Sequence, residues 1–504
     1  MKGKNLLGFD VGSSSIKASI IDGEKGTAVG SAVSPKTELP MTAHKPGWAE
    51  QHPHTWWEHV VSSARELTET YPEEMKQVHA VGISYQMHGL VVLDKTGAVL
   101  RPSIIWCDSR AVPYGNRAFD EIGSERCLSR LMNSPGNFTA AKLAWVKENE
   151  PEVYAKVHTM MLPGDYIAYR MTGEINTTPS GLSEGILWDA VENGPADFLL
   201  DYFGFSRSIL PEIVPNFAVQ GKVTKEAASE LGIPEGAAVS YRAGDQPNNA
   251  LSLGVLEPGE VAATAGTSGV VYGILDTPAY DGQSRVNGFV HVNHTSKKPR
   301  YGILLCVNGT GILNRWLKEH ILAPGGGGLE YDEMNSLADS AEPGSEGLEI
   351  LPFGNGAERT LANLDPGASI HHLNFNIHSF SHLLRAGQEG IVYALQYGLE
   401  IMRDMGISVG TVKAGYANMF LSPLFRRIFA TVTGSPVELY STDGSQGAAR
   451  GAGIGAGLYK NPGEAFSGLT KQEIIEPEPA LQNRYRELYG SWRETLEGVL
   501  KNSG

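Results

Sequence analysis

Short apolar runs separated by polar turns predict β-strands at the start of the chain. Apolar residues dominate positions 5–9, 16–22 and 27–33, and glycine and polar residues separate these runs. Runs of this length with such boundaries are typical of hairpin-linked strands. A helix is predicted near 54–71 and a further strand at 78–84. The first part of the chain is therefore expected to form a three-stranded meander, a helix and another strand.

The same order resumes in the second half, where two apolar runs flank a turn within 259–274. A chain of 504 residues exceeds what one hydrophobic core usually supports. We therefore expect an α/β protein of two domains, residues 1–247 and 248–504, with a junction near 246–257. The later elements predicted are helices near 380–405 and 418–434, a strand near 410–414 and a helix of small residues near 445–459.

Two similar loops follow the first strand of each half. Phe9 to Ser15 reads Phe-Asp-Val-Gly-Ser-Ser-Ser, and Ala265 to Gly269 reads Ala-Gly-Thr-Ser-Gly. Glycine permits close approach of a ligand to the backbone, and consecutive N–H groups with hydroxyls suit an anion. Asp10 ends an apolar strand, where a carboxylate must be paired, hydrated or close to a metal. Either loop alone favours a plain hairpin turn, but their repetition favours a nucleotide held between two halves.

The composition narrows the class of partner. Apolar residues make up 41% and charged residues 19% of the chain, as in ordinary globular proteins. The net charge of −15, without a Lys/Arg-rich block, argues against nucleic acid and anionic membranes as partners. No long apolar segment follows Met1, so a cytoplasmic protein is expected. The widely spaced Cys107, Cys127 and Cys306 are expected to be reduced, and Gly325 to Gly328 to form a surface loop.

Three polar clusters are candidates for ligand binding. Gln86 and His88 follow the strand at 78–84, where polar side chains often line a crevice and could bind a polyol, and the alternative is a loop histidine with only structural hydrogen bonds. Trp106 either stacks on a sugar or fills the core, and Asp108 either faces the ligand or pairs with Arg110. Asp245 stands on a Gly-flanked turn at the predicted junction. It is either a turn residue or the acceptor of a proton from a hydroxyl that attacks a phosphate, and its position favours the second reading.

The ordered motifs together resemble the FGGY family of carbohydrate kinases over nearly the full length of the chain. Within that family, Gln86-Met87-His88-Gly89 favours the members that phosphorylate xylulose. The motifs that carry the resemblance are 8–14, 46–51 with Trp56-Trp57, 86–89, 101–106, 138–145, 162–166, 244–246, 266–269 and 358–360.

The resemblance implies two ribonuclease H-like domains of the actin, sugar kinase and Hsp70 superfamily, with ATP and sugar in the cleft between them. It implies transfer of the γ-phosphoryl group of ATP to the 5-hydroxyl of D-xylulose, with Asp245 as general base and Asp10 holding hydrated Mg²⁺. The partners implied are the sugar and ATP, and a homodimer is expected. The sugar-binding residues implied are Gln86, Met87, His88, Gly89, Trp106, Asp108, Asp245 and Gln246.

The phosphate and adenosine site is implied in the same way. The nucleotide-binding residues implied are Gly12, Ser13, Ser14, Gly266, Thr267, Ser268, Gly311, Asn314, Gly415 and Asn418. Members usually carry a Gly-Gly-Gly-Ala turn where this chain has Ala414-Gly415-Tyr416-Ala417, and a Gly-Leu pair where it has His372-Leu373. Tyr416 narrows the pocket, stacks on the base or points into the core. The run 441–449 predicts a capped helix start with tight packing.

Two other functions share part of this pattern. Another sugar or polyol kinase of the family would share the phosphate-handling residues and differ around Met87, His88, Trp106 and Asp108. A structural ATPase of the actin or Hsp70 type would share the loops and Asp10, yet would not need the Gln-Met-His-Gly block. Asp10 and Asp245 together argue against an inactive, ligand-sensing member.

Overall fold

The computed structural model describes residues 4–322, 329–357 and 359–503. The predicted loop Gly325 to Gly328 and Glu358 of the 358–360 motif lie outside the described residues. The strands of the first half are β1 (Asn5–Val11), β2 (Ile16–Asp22), β3 (Ala28–Ser34), β4 (Glu50–Gln51), β5 (Val78–Tyr85), β6 (Val91–Leu93), β7 (Ser103–Ile104), β8 (Thr159–Met161), β9 (Asn176–Thr177), β10 (Trp188–Asp189), β11 (Gly194–Pro195), β12 (Glu212–Ile213), β13 (Phe217–Lys222) and β14 (Ala238–Gly244). Its helices are α1 (Pro53–Thr70), α2 (Pro72–Met75), α3 (Val112–Ile122), α4 (Ser124–Leu131), α5 (Thr139–Asn149), α6 (Pro151–Tyr154), α7 (Pro163–Thr172), α8 (Pro179–Glu184), α9 (Asp197–Phe203), α10 (Lys225–Leu231) and α11 (Asp245–Ser252).

The second half follows the same mixture of strands and helices. Its strands are β15 (Val261–Ala265), β16 (Gly269–Leu275), β17 (Asn287–Val290), β18 (Tyr301–Val307), β19 (Glu349–Pro352), β20 (Ala368–His371), β21 (Val412–Gly415), β22 (Val437–Tyr440) and β23 (Lys471–Ile475). Its helices are α12 (Gly311–Trp316), α13 (Tyr331–Asp339), α14 (Phe380–Asp404), α15 (Pro423–Thr433), α16 (Gly444–Gly455) and α17 (Pro479–Ser503).

The two large sheets repeat one strand arrangement. The first has the order β13-β14-β5-β1-β2-β3, in which β14, β5 and β1 are parallel and the outer pairs antiparallel. The second has the order β23-β22-β21-β15-β16-β18-β17, again with a parallel centre of β22, β21 and β15. The predicted two-domain α/β fold, built from one unit used twice, is confirmed.

The predicted strands and helices of the first half are found within one or two residues of their expected bounds. Strands β1 and β5 are buried almost throughout because helices cover both faces of the sheet. Residues 245–252 form helix α11, although the sequence predicted a turn there. Gly244 serves as its N-cap and Pro247 lies in the first turn, where a helix tolerates proline.

Helix α16 comes from the second half of the chain but packs on the sheet of the first half. It lies across β1, β5 and β14, and its small residues allow a very close approach. A Cβ atom on Gly8 would stand 1.9 Å from the carbonyl oxygen of Ser445, and one on Gly82 would stand 1.9 Å from that of Ala448. The tight packing predicted for this helix is therefore confirmed.

The described helices include none that is long and apolar enough to cross a membrane.

Candidate active site

Two cavities are lined by residues of the second repeated loop, one by Ser268 and the other by Gly266 and Thr267. The first cavity is lined by residues of both halves of the chain and has a volume of about 510 Å³, and the second is lined by residues of the second half and has a volume of about 400 Å³. The residues lining the larger cavity are Met87, His88, Trp106, Cys107, Asn137, Phe138, Asp245, Gln246, Ser268, Val270, Asn287, Leu304, Cys306, Asn308 and Arg359. Its size falls in the range of small-molecule sites.

The carboxyl ends of the parallel strands β1, β5 and β14 bring the acidic residues together. Asp10 pairs in register with Ser84, and Ser84 pairs with Ala243, two residues before Asp245. In open α/β sheets, ligands bind at this edge. The strand register therefore explains why residues so distant in the sequence meet at one end of the cleft.

Asp245 is the first residue of α11 and lines the larger cavity. Burial, followed by the negative charges of Asp10 and Glu184, raises the pKa of its carboxyl group to about 8. A carboxyl group with a pKa raised in this way keeps its proton to a higher pH than an ordinary aspartic acid does. Such a group, in a cleft and beside like charges, is a candidate general base, because a carboxylate of raised pKa is the stronger base once it is ionised.

Asp10 lies next to this group at the end of β1. The Ser84 hydroxyl donates to its Oδ1 at 2.7 Å, and burial raises the pKa of its carboxyl group. A Cβ atom on Gly444 would stand 2.3 Å from Oδ2, so only glycine leaves room for the carboxylate. Among the described residues, no group of three or more His, Cys, Asp or Glu side chains could hold a metal. Mg²⁺ in kinases is commonly bound by one or two carboxylates with phosphate oxygens and water, so a single Asp10 fits it.

The loop at Gly12, Ser13 and Ser14 connects β1 and β2 beside Asp10. The Gly12 N–H donates to the Ser15 carbonyl at 3.0 Å, which closes the turn. The Gln51 side chain donates to the Ser13 carbonyl at 2.7 Å. The Trp106 indole N–H donates to the Ser13 hydroxyl at 3.2 Å, so this loop touches the wall of the larger cavity.

Five of the predicted sugar-binding residues line the larger cavity, namely Met87, His88, Trp106, Asp245 and Gln246. Trp106 is 49% exposed there and so does not fill the core. Gln86 is buried and donates to Gln51 at 3.4 Å, while Gly89 packs against Pro163. The Asp108 side chain is fully buried, accepts the Ala49 N–H and forms a two-pronged ion pair with Arg110. Gln86, Gly89 and Asp108 therefore lie outside the lining of the larger cavity.

The second cavity is lined by five of the ten predicted nucleotide-binding residues. Gly266, Thr267, Gly311, Asn314 and Asn418 all line it, together with the apolar Ile312, Met419 and Leu421. The Gly311 N–H donates to the Gly266 carbonyl at 2.8 Å, which joins the start of α12 to the loop.

Three other residues predicted or discussed for the nucleotide lie elsewhere. Ser268 lines the larger cavity and donates to the Asn308 side chain at 3.0 Å. Gly415 ends β21 outside the lining of the second cavity. Tyr416 is 45% exposed with the Arg426 guanidinium 6.0 Å from its ring centroid, which removes the core placement considered for it.

Some cavity residues were missed at the sequence level. Asn308 directly follows β18, so the strand-end rule that selected His88 would also have found it. Asn287 begins β17, and Asn335 and Tyr331 come from α13; their sequence context has no comparable signal. Arg359 belongs to a motif of the resemblance, but its neighbours were not predictable. Its guanidinium donates to the hydroxyls of Ser134 and Ser284 at 2.7 and 3.1 Å and so connects the two halves.

Comparisons with known proteins agree with this architecture. Residues 5–252 match the N-terminal domain, and residues 261–458 the C-terminal domain, of the FGGY family of carbohydrate kinases. A xylulose kinase of Bacillus subtilis is 27% identical over 97% of this chain and 96% of its own length. A xylulose kinase of Lactococcus lactis is 29% identical over 98% of this chain and 97% of its own length.

Solved structures show the same likeness. The crystal structure of a xylulose kinase from Rhodospirillum rubrum is 28% identical and superimposes with a TM-score of 0.88, covering 99% of this chain and all of that one. Kinases of this family transfer a phosphoryl group from ATP, and the cleft described above has the acid, loops and cavities for that chemistry. The chain belongs to the FGGY family of carbohydrate kinases and is a sugar kinase.

Proposed function

We propose that the chain transfers the γ-phosphoryl group of Mg·ATP to the 5-hydroxyl of D-xylulose, giving D-xylulose 5-phosphate. The observation that carries this proposal is the position of Asp245, which lines one cavity together with Met87 and His88 of the first half and Ser268 of the second loop. A sugar hydroxyl bound there has a proton acceptor and a phosphate-binding loop within one cavity.

Asp245 is the proposed general base. Its high pKa favours uptake of the hydroxyl proton as the bond to phosphorus forms. The transferred group carries its charge on three oxygens, so positioning and charge neutralisation supply most of the catalysis. Mg²⁺ beside Asp10 would neutralise part of that charge. The loop of Gly12, Ser13 and Ser14 would bind phosphate oxygens through N–H and hydroxyl groups.

The second domain is proposed to hold the rest of the nucleotide. Gly266 and Thr267 would meet the phosphates, and the asparagines Asn314 and Asn418 offer donors and acceptors to the adenosine part. Along the chain we propose the domains 1–247 and 248–504.

D-xylulose is favoured over other sugars by two observations. The curated relatives described above are named xylulose kinases and match this chain over nearly its full length. Met87 and His88, which come from the block typical of those members, both line the larger cavity.

The test is a panel of acceptors with the purified protein, Mg²⁺ and ATP, in which ADP release is followed. D-xylulose should give the highest kcat/KM among D-xylulose, D-ribulose, L-ribulose, glycerol and gluconate, and Asp245→Asn should lower the sugar-dependent rate roughly a hundredfold or more. A higher kcat/KM for another acceptor would reassign the sugar. ATP hydrolysis that is independent of every acceptor would replace the proposal with a structural ATPase.

A further inference from the structure

His88 adopts a backbone conformation that ordinary side chains avoid. Its φ is +64°, in the left-handed region, directly after β5 and before Gly89. A non-glycine residue held there costs free energy, which the surrounding structure must offset. His88 also lines the larger cavity, so the unusual conformation falls on a residue proposed to meet the sugar.

Two buried side chains hold the backbone of His88 from opposite sides. Its N–H donates to Glu184 Oε2 at 2.7 Å, and its carbonyl oxygen accepts from Lys142 Nζ at 2.8 Å. Glu184 ends α8 and Lys142 lies in α5, and both residues are almost completely buried. Burial lowers the pKa of Lys142 to about 7, and both forms of its amine have an N–H to donate. Each peptide group that flanks His88 is therefore fixed by a helix.

The same contacts select one tautomer of the ring. His88 Nδ1 lies 2.8 Å from the Glu184 carbonyl oxygen and 3.0 Å from its carboxylate Oε2. Both atoms are acceptors, so Nδ1 must carry the proton and act as donor. In the neutral imidazole, Nε2 is then a hydrogen-bond acceptor. Phe138 packs edge-on against the ring, with centroids 4.7 Å apart, and limits its rotation.

We propose that Glu184 and Lys142 are positioning residues that lock His88 as an acceptor for one hydroxyl of the sugar. The cavity then recognises a substrate that donates a hydrogen bond at that place and rejects an analogue that lacks the donor. This recognition rests on the sugar-kinase site proposed above. Neither proton transfer to Asp245 nor phosphate binding by the loops requires a hydrogen bond to His88, so this hydrogen bond serves to select the sugar.

The first arm of the test needs no substrate. In ¹⁵N-histidine-labelled wild-type protein, the His88 resonances, identified by their loss in His88→Asn, should show a protonated Nδ1 and an unprotonated Nε2. A protonated Nε2 in the neutral ring would overturn the proposal.

The second arm uses the single-deoxy analogues of whichever sugar the wild-type protein phosphorylates best, so a wrong sugar assignment leaves it intact. The wild type should lose about 100-fold in kcat/KM on one analogue, since a site built to bind a hydroxyl strongly rejects its absence. Lys142→Met and Glu184→Ala should lose under about tenfold on that analogue while KM for the full sugar rises. Glu184→Gln, whose amide oxygen still accepts an N–H, should retain most of the discrimination.

The matched control is Glu389→Ala, which removes another buried, ion-paired carboxylate, bonded to Arg385 at 2.9 Å in α14. It should leave the discrimination at about 100-fold. A wild type that treats all deoxy analogues alike, or variants that lose equally on the sugar and on every analogue, would reduce Glu184 and Lys142 to a general structural role.

Discussion

The carboxyl group of Asp245 lies where β14 ends and α11 begins, on the wall of the larger cavity. Asp245→Asn keeps the shape of the side chain and removes its ability to take a proton. We expect kcat to fall roughly a hundredfold or more, the usual scale for loss of a general base, while the sugar still binds. ADP release gives kcat, and calorimetric titration of the sugar gives its Kd.

Gln246→Ala is the control for this change, because it alters the neighbouring cavity residue without removing the base. It should affect KM more than kcat. Wild-type turnover in a folded Asp245→Asn protein would remove Asp245 from the chemistry.

The raised pKa of Asp245 also predicts how stability depends on pH. Its folded-state pKa is about 8, against an ordinary value of 3.8, so the folded protein binds this proton more tightly than the unfolded chain. The stability that protonated Asp245 contributes is therefore complete below about pH 3.8 and is lost as pH rises through about 8. Asp245→Asn should become progressively more stable than the wild type between these values.

The measurement is Tm of both proteins, without nucleotide or sugar, at intervals from pH 4.5 to 9. The difference in Tm, variant minus wild type, should rise with pH and level off above about pH 8.5. A difference that stays constant over this range would show that the carboxyl group titrates normally.

At the residue scale, the positions of acidic side chains could be predicted from the sequence more readily than the residues that they contact. The place of Asp10 near the end of β1 could be predicted because it closes an apolar run, and its role in metal binding stays a prediction. Asp108 could not be assigned, because the alternatives of a sugar contact and an ion pair with Arg110 have the same local sequence. Only the fold shows that the Asp108 side chain is fully buried and accepts the backbone N–H of Ala49.

At the scale of elements, the contact between α16 and the first sheet has almost no free space. A Cβ atom on Gly82 would meet the Ala448 carbonyl at 1.9 Å, and neither backbone can give way easily. We expect Gly82→Ala to lower the free energy of unfolding by about 3 kcal/mol, the upper part of the usual range for overpacking. Urea denaturation of both proteins measures it.

Gly490→Ala is the matched control. Gly490 lies inside helix α17 with open space around the position of a Cβ atom. Alanine should leave stability unchanged or raise it by about 0.5–1 kcal/mol. Equal effects of the two substitutions would show that the sheet and α16 tolerate a wider separation.

Strands and helices with clear apolar periodicity could be predicted, and the exceptions have physical reasons. The run Asp245 to Asn249 has the composition of a turn, yet it continues as a helix because Gly244 caps it and the Pro247 ring fits the first turn. The helix expected near 418–434 begins only at Pro423, after a 3₁₀ turn over Asn418–Leu421. Such local starts depend on backbone angles that composition alone does not specify.

At the scale of the whole molecule, the first sheet depends on a helix from the other half. Leu6, Ala80 and Tyr241 pack in one cluster with Ala448, Ala449 and Ala452 of α16. A fragment of residues 1–260 would expose this apolar face. We expect it to aggregate when produced alone, and to become soluble when residues 440–460 are attached through a flexible linker.

Sedimentation and the soluble fraction after expression distinguish these fragments. The control is a linked segment in which Ala448, Ala449 and Ala452 are replaced by glutamate, which should not restore solubility. A monomeric 1–260 fragment with cooperative unfolding would show that the first domain is complete without α16.

The sequence predicted the duplicated fold because each half shows the same order of strands and turns. It did not predict which contacts cross between the halves. The hydrogen bond from Arg359 to Ser134, and the placement of Ser268 on the wall of the larger cavity, arise from the relative orientation of two units. That orientation is determined by packing over the whole cleft, which no short motif encodes.

The first sheet still lacks its covering helix α16 when its last strand, β14, leaves the ribosome. Strand β14 ends at Gly244, while α16 ends at Gly455, about 210 residues later. At roughly 5–20 residues per second, synthesis of that interval takes about 10–40 s. Throughout it, the face of β1, β5 and β14 that α16 will cover is an apolar surface on a nascent chain. Chaperones that bind nascent chains should therefore matter more for the production of this protein than its length alone would suggest.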